Sequence, residues 1–280
     1  MWMYDFNLFY EAGQLVLKGQ SPYSIFDFNP PFPFALLAVP FALFPKEIAY
    51  LLYVLLVLFV LFKVMGKRGF IALLSFPVLF SLFVGQVDLV LAQATLLLGP
   101  WSLGLLIVKP QVAFIVAPWF IRQANWKGLL KAGGVAGILI LVSFLIRPTW
   151  FVEWRARTPS LASYAIRDSS LYYLIADKNL VASILIVVSL IVAVLALFIR
   201  QRQVSWSFTS LFAPLSNIYS VSVLAEWFGW TEVILSWVIM FALGGNIHNG
   251  APMFIISLSI LIKSKFFKQP DQKPVVLEST

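Results

Sequence analysis

Ile48-Ala49-Tyr50-Leu51-Leu52-Tyr53-Val54-Leu55-Leu56-Val57-Leu58-Phe59-Val60-Leu61-Phe62, followed at once by Lys63-Val64-Met65-Gly66-Lys67-Arg68, decides the fold. Fifteen residues without a charge, closed by a basic turn, read as a membrane-crossing helix, because a chain in hydrocarbon must satisfy its backbone internally. Working outward, Phe70–Val87, Leu89–Val108, Ala132–Ile146, Leu180–Ile199 and Val233–Ile262 are further stretches with no Lys, Arg, Asp or Glu. Of the 280 residues, 61% are hydrophobic and 11% charged, far from the balance of a soluble domain. The expectation is an all-α, polytopic protein of the cell membrane.

The basic turn also sets the orientation. Lys and Arg of short loops stay on the cytoplasmic side, which puts Lys63–Arg68, Arg122–Lys131 and Arg200–Arg202 inside and residues 1–47 and 147–179 outside. The +8 net charge is therefore a matter of topology and not of nucleic-acid binding. The absence of cysteine removes disulfides, thiol nucleophiles and thiolate metal sites, and a single histidine, His248, builds no cluster, so no metal and no cofactor are expected. Met1–Gln20 lacks the basic start and apolar core of a cleavable signal.

We read one membrane domain over 1–280. Residues 1–47 form an outer segment with an interfacial helix, 48–146 a helical core, 147–179 an outer loop, 180–262 the C-terminal helices and 263–280 a polar basic tail. Within the core, Gly85-Gln86-Val87-Asp88 interrupts apolar sequence and Lys109-Pro110 does so again. A broken arrangement, with short helices on either side of each interruption, places Gln86, Asp88 and Lys109 on one outer face; single kinked helices over 70–99 and 101–121 are the alternative. Loops longer than about 15 residues tend to be functional or disordered, and the Trp and Tyr of this Arg-rich outer loop argue for order.

Chemistry is expected where charge meets hydrocarbon, because charges at a membrane edge are costly and face a cavity or a partner. Asp5, beside Phe6 and Tyr10, offers a general base. Lys109 and loop arginines Arg155, Arg157 and Arg167 are natural partners of a phosphate. Gln86, Asp88, Tyr10 and Tyr23 complete the candidate substrate contacts. Each has a plainer reading: Asp5 as a helix cap, Lys109 as a snorkelling side chain, Asp88 as a structural partner of Lys109, the arginines as headgroup contacts.

Several of these elements together resemble glycosyltransferase family 87. They are Asp5-Phe6 with Tyr10, Gly19-Gln20-Ser21-Pro22-Tyr23, Asn29-Pro30-Pro31-Phe32 and Leu37-Ala38-Val39-Pro40; then Gly85-Gln86-Val87, Leu103-Gly104 through Lys109-Pro110, Asp168-Ser169-Ser170-Leu171 and Ala213-Pro214-Leu215-Ser216. The resemblance implies a GT-C-like helical bundle with two outer-face loops. It also implies inverting transfer of a sugar, typically mannose, from a polyprenyl-phosphate donor to a glycolipid or glycan acceptor among membrane lipids. It gives Asp5 the role of general base, and Lys109 and the loop arginines that of donor-phosphate ligands. The family pattern carries a transmembrane helix before the catalytic acid, whereas only Met1–Tyr4 precede Asp5, so the expectation is a chain lacking that helix. It also often carries Trp and His after the serine-proline-x-serine element, where this chain has Asn217, Ile218, Tyr219 and Ser220. A carrier or flippase of lipid-linked sugars, and an inactive truncated homologue, are the rival readings.

Overall fold

The computed structural model describes residues 2–157, 178–213, 218–246 and 250–266. The described residues form helices and connecting turns, with no strand among them. Arg167, the Asp168–Leu171 and Pro214–Ser216 elements and His248 lie outside the described residues.

The membrane-crossing reading of 48–62 holds: α3 runs Lys46–Met65, twenty residues or about 30 Å of helix. Its two faces separate by helical period. Leu51, Leu55 and Phe59 point outward at 53–62% exposure, while Ala49, Tyr53, Val57 and Leu61 are buried in the core. The second long apolar helix, α8, spans Trp126–Ile146. It starts inside the basic Arg122–Lys131 loop because Asn125 caps it, accepting a bond from the Gly128 N–H at 2.8 Å.

The interruption at Gly85 breaks the chain as the polar residues suggest. After the short α4 (Arg68–Leu73), α5 (Phe76–Val84) and α6 (Asp88–Leu98) meet at a 103° bend. Gly85 takes φ +84 at the bend, a conformation that any larger residue resists. Trp101–Val108, by contrast, is not α-helical. Pro100–Val108 winds as a 3₁₀ segment, with Gly104 so close to α8 that a Cβ there would fall 2.3 Å from the Ala132 carbonyl oxygen. A second 3₁₀ segment, Ile218–Trp227, is buried over nearly its whole length. Irregular backbone at membrane depth survives only where protein covers it: the second segment lies at the centre of the bundle, while the first packs along α8 with alternate residues buried and Trp101 exposed.

The remaining helices wrap this centre: α7 (Pro110–Gln123), α10 (Lys178–Ala196), α11 (Arg202–Leu211), α12 (Trp230–Ala242) and α13 (Ala251–Phe266). At one end, α1 (Tyr4–Leu17) and α2 (Phe32–Ala42) form a hairpin, tied by Gln14 donating to the Ala42 carbonyl and Tyr10 to that of Phe44. A separate aromatic cluster of Tyr23, Phe28, Phe32, Phe34 and Trp150 fills the space between this hairpin and the short helix α9 at 150–157. The basic segments gather at the other end, where Arg122 donates to the carbonyls of Leu197 and Phe198 and Trp119 to that of Arg200.

Candidate active site

The site is assembled at the Gly85 bend. With no side chain at Gly85, the first turn of α1 lands directly on it: an ideal Cβ there would sit 2.3 Å from Phe6 Cβ and 2.9 Å from the Phe6 nitrogen. The Met3 N–H donates to the Phe83 carbonyl at 2.9 Å and fastens the same turn to the end of α5. Met3 itself adopts φ +56, strained for a non-glycine residue and stabilised by burial of its side chain. The result places Asp5, partly buried in the first turn of α1, against the side chain of Gln86.

Gln86 is the centre of the arrangement. Its amide hydrogen-bonds the Asp5 carboxylate, and its Oε1 accepts from the Lys109 ammonium. Its backbone carbonyl is held by the Tyr53 hydroxyl at 2.5 Å. Lys109 sits where the first 3₁₀ segment gives way to α7, with Pro110 as the first helical residue. It is 8% exposed and pairs with Asp88, which is fully buried. Asp88 Oδ2 accepts a second bond from Ser220 Oγ at 3.0 Å, and the Lys109 ammonium lies 5.4 Å from the centre of the Tyr219 ring.

Burial pushes the Asp5 carboxyl up to about 6, and the Asp88 and Asp27 carboxylates push the same way; the Gln86 bond and the Lys109 charge oppose them. An acid with a midpoint near 6 is ionised at neutral pH yet basic enough to accept a proton. Beside it runs an apolar cavity of about 160 Å³, lined by Phe6, Phe34, Phe41, Leu56, Leu91 and their neighbours.

The other predicted residues divide. Tyr10 lines the apolar cavity, its hydroxyl committed to the Phe44 carbonyl at 2.8 Å. Tyr23 is buried against Phe28 in the aromatic cluster, within electrostatic reach of Glu153. Arg157 spends its guanidinium on the backbone, donating to the carbonyls of Phe26 at 2.9 Å and of Tyr23. Arg155 is exposed on the same helix. The structure therefore gathers Asp5, Gln86, Asp88 and Lys109; Tyr10 lines the adjoining cavity, Tyr23 belongs to the aromatic cluster, and Arg155 and Arg157 lie on α9.

Three residues not singled out from the sequence join the site. Asp27 accepts from the Tyr4 hydroxyl and brings a second carboxylate within electrostatic reach of Asp5. Tyr53 and Ser220 supply the bonds to Gln86 and Asp88 just described. A hydroxyl in the middle of an otherwise apolar spanning stretch was the available signal for Tyr53.

An all-α membrane protein that gathers a raised carboxyl, an amide and a buried ion pair beside an apolar cavity has the elements of an enzyme acting at a lipid surface. Residues 28–225, more than two thirds of the chain, match glycosyltransferase family 87. The chain belongs to that family and is a membrane glycosyltransferase. No curated protein and no solved structure matches it. Gln86, Asp88, Lys109 and Ser220 fall within the matched span; Asp5, Tyr10 and Tyr23 precede it.

Proposed function

We propose that the enzyme transfers a sugar, mannose by family resemblance, from a polyprenyl-phosphate donor to a hydroxyl of a lipid or glycan acceptor at the outer face of the cell membrane. One observation carries this reading: the Gln86 side chain bridges a proton-accepting carboxylate, Asp5, and a buried cation, Lys109. A base and a phosphate ligand one amide apart suit a displacement in which both ends of the reacting sugar are held at once.

In this scheme Asp5 takes the proton of the acceptor hydroxyl as its oxygen attacks the anomeric carbon. The bond from that carbon to the phosphate oxygen breaks on the opposite face, and configuration inverts. The ammonium of Lys109 has three donors, of which Asp88 and Gln86 engage two. The third meets the donor phosphate and stabilises the charge developing on it. Arg155, exposed on α9, and Arg167 are the further phosphate ligands in this proposal. Arg157, bound to the Tyr23 and Phe26 carbonyls, acts on the phosphate only by exchanging those partners. The apolar cavity beside Asp5 suits the first isoprene units of the donor. The whole chain then works as one GT-C-like membrane domain, with residues 1–47 and 147–179 on the outer face.

The test is transfer of radiolabel from polyprenyl-phosphate mannose into total membrane lipid, followed by thin-layer chromatography, with wild type beside Asp5→Asn. Label reaching a new lipid only with Asp5 intact supports the transferase and its base. Transfer unchanged in Asp5→Asn removes Asp5 from the mechanism. Donor binding without transfer by wild type favours a carrier or an inactive homologue.

A further inference from the structure

At the basic end of the molecule, α4, the second 3₁₀ segment, α11, α12 and α13 enclose another pocket, of about 380 Å³. Arg68, Gln203, Glu226, Gly229, Glu232 and Lys263 line it with Ile71, Trp227 and Phe228. It is polar where the cavity beside Asp5 is apolar, and the proposed transfer reaction uses none of its residues.

Its charges are unequally satisfied. Glu232, fully buried, is saturated: Lys263 and Ser259 donate to its carboxylate at 2.8 Å and the Gly229 N–H at 3.0 Å. Glu226 is 8% exposed, and its Oε1 pairs with Arg202. The Arg202 guanidinium is in turn packed 5.3–6.0 Å from the ring centres of Trp119, Trp206 and Trp227. Glu226 Oε2 has no hydrogen-bond partner. A buried carboxylate oxygen without a donor is costly and calls for a ligand that supplies one. Arg68 is exposed at the start of α4, within electrostatic reach of Glu226, and takes part in no ion pair among the described residues.

The pocket thus offers an acceptor in its depth and a cation at its mouth. A ligand that matches both carries an N–H donor cation and a phosphate a few bonds apart. The basic end faces the cytoplasm by the positive-inside rule. Exposed Phe70 and Trp230 flank the pocket's lining elements, as expected at a membrane–water boundary. We propose that this pocket binds a phosphoethanolamine group, supplied as the headgroup of an inner-leaflet aminophospholipid. The primary ammonium donates to Glu226 Oε2, the phosphate meets Arg68, and the acyl chains lie along the exposed apolar side chains of α4 and α12. This site is independent of the transfer reaction proposed above.

The test uses the full chain in detergent, delipidated and then titrated with phosphatidylethanolamine, phosphatidylcholine, phosphatidylglycerol or free phosphoethanolamine, and read by native mass spectrometry and thermal shift. Phosphatidylethanolamine is expected to bind about tenfold more tightly than phosphatidylcholine, which has no N–H donor, and than phosphatidylglycerol, which has no ammonium. Arg68→Gln, an exposed substitution, should weaken it about tenfold while leaving the melting temperature of the lipid-free protein unchanged. Where Glu226→Gln folds, it should erase the preference for phosphatidylethanolamine over phosphatidylcholine. Tight binding of free phosphoethanolamine would support the same recognition and assign it to a soluble source. Equal binding of the three lipids, a preference for phosphatidylglycerol, or an Arg68→Gln protein that binds as wild type would overturn the proposal.

Discussion

Gly85 and Phe6 meet with no space between them. A Cβ on Gly85 would lie 2.3 Å from that of Phe6, and Gly85 holds φ +84 besides. Gly85→Ala therefore meets two penalties at once, a left-handed backbone, at about 1–2 kcal/mol, and a clash with the turn that carries Asp5. If transfer depends on Asp5, the expected result is a folded but less stable protein with transfer reduced at least about tenfold, since displacements near 1 Å at a catalytic group are expensive. Melting temperature and transfer rate measured together check it. A Phe6→Gly variant removes the Cβ that the new methyl strikes, so Gly85→Ala combined with Phe6→Gly should cost less than the sum of the two.

The raised Asp5 carboxyl makes opposite statements about activity and stability. As the proposed base it must be ionised, so transfer should rise with pH around a midpoint of about 6 and level off above 7. For stability the sign is reversed. A folded-state value above the ordinary 3.8 of an aspartate means that the stabilisation is complete below pH 4 and is lost as pH rises through 6. Asp5→Asn should thus abolish transfer yet raise the melting temperature at pH 7.5, with the difference from wild type closing toward pH 4. A fall in melting temperature at pH 7.5 would mean that Asp5 is chiefly a structural residue.

How far the sequence leads is seen at this same bend. Gly85, Gln86 and Asp88 stand out because they interrupt hydrocarbon, and Lys109-Pro110 does so for the same reason; each is a local signal. That Asp5 lands on Gln86, eighty-one residues on, is a non-local fact of packing that no spacing announces. The 3₁₀ winding of Pro100–Val108 and Ile218–Trp227 is equally hidden, because apolar composition does not distinguish a 3₁₀ segment from a short helix when protein surrounds both. Arg202 shows the limit of charge counting. As part of Arg200-Gln201-Arg202 it serves as an orientation marker, yet it is 7% exposed, paired with Glu226 and stacked among tryptophans.

Lys109 and Asp88 test whether the buried pair holds the fold, the phosphate or both. Lys109→Met leaves Asp88 charged and fully buried, at an expected cost of about 3–5 kcal/mol. Adding Asp88→Asn removes the orphan charge and should restore most of that stability. If Lys109 contacts the donor phosphate, the double variant should remain defective in transfer although it is folded. Recovery of transfer along with stability would leave the pair a purely structural role.

Glu153 joins the two segments assigned to the outer face. Burial would raise its carboxyl, but bonds from Arg147 at 3.0 Å, from Ser21 and from Thr149 at 2.5 Å, with the Arg147 charge, outweigh it and bring it down to about 2. On the same helix, Trp154 donates to the Asn29 carbonyl at 3.0 Å and Arg157 to those of Tyr23 and Phe26, so α9 grips the chain between α1 and α2. A folded value below the ordinary 4.5 of a glutamate means that this contribution is present above pH 4.5 and is lost as pH falls toward 2. Amide hydrogen exchange in 20–30 and 150–157 should therefore quicken, relative to α3, between pH 4.5 and 2.5. Glu153→Gln should show the quickened exchange already at pH 7, because an amide bonds Arg147 without the charge. If these segments open at the same rate in both proteins at pH 7, the grip rests on Trp154 and Arg157 and not on the carboxylate.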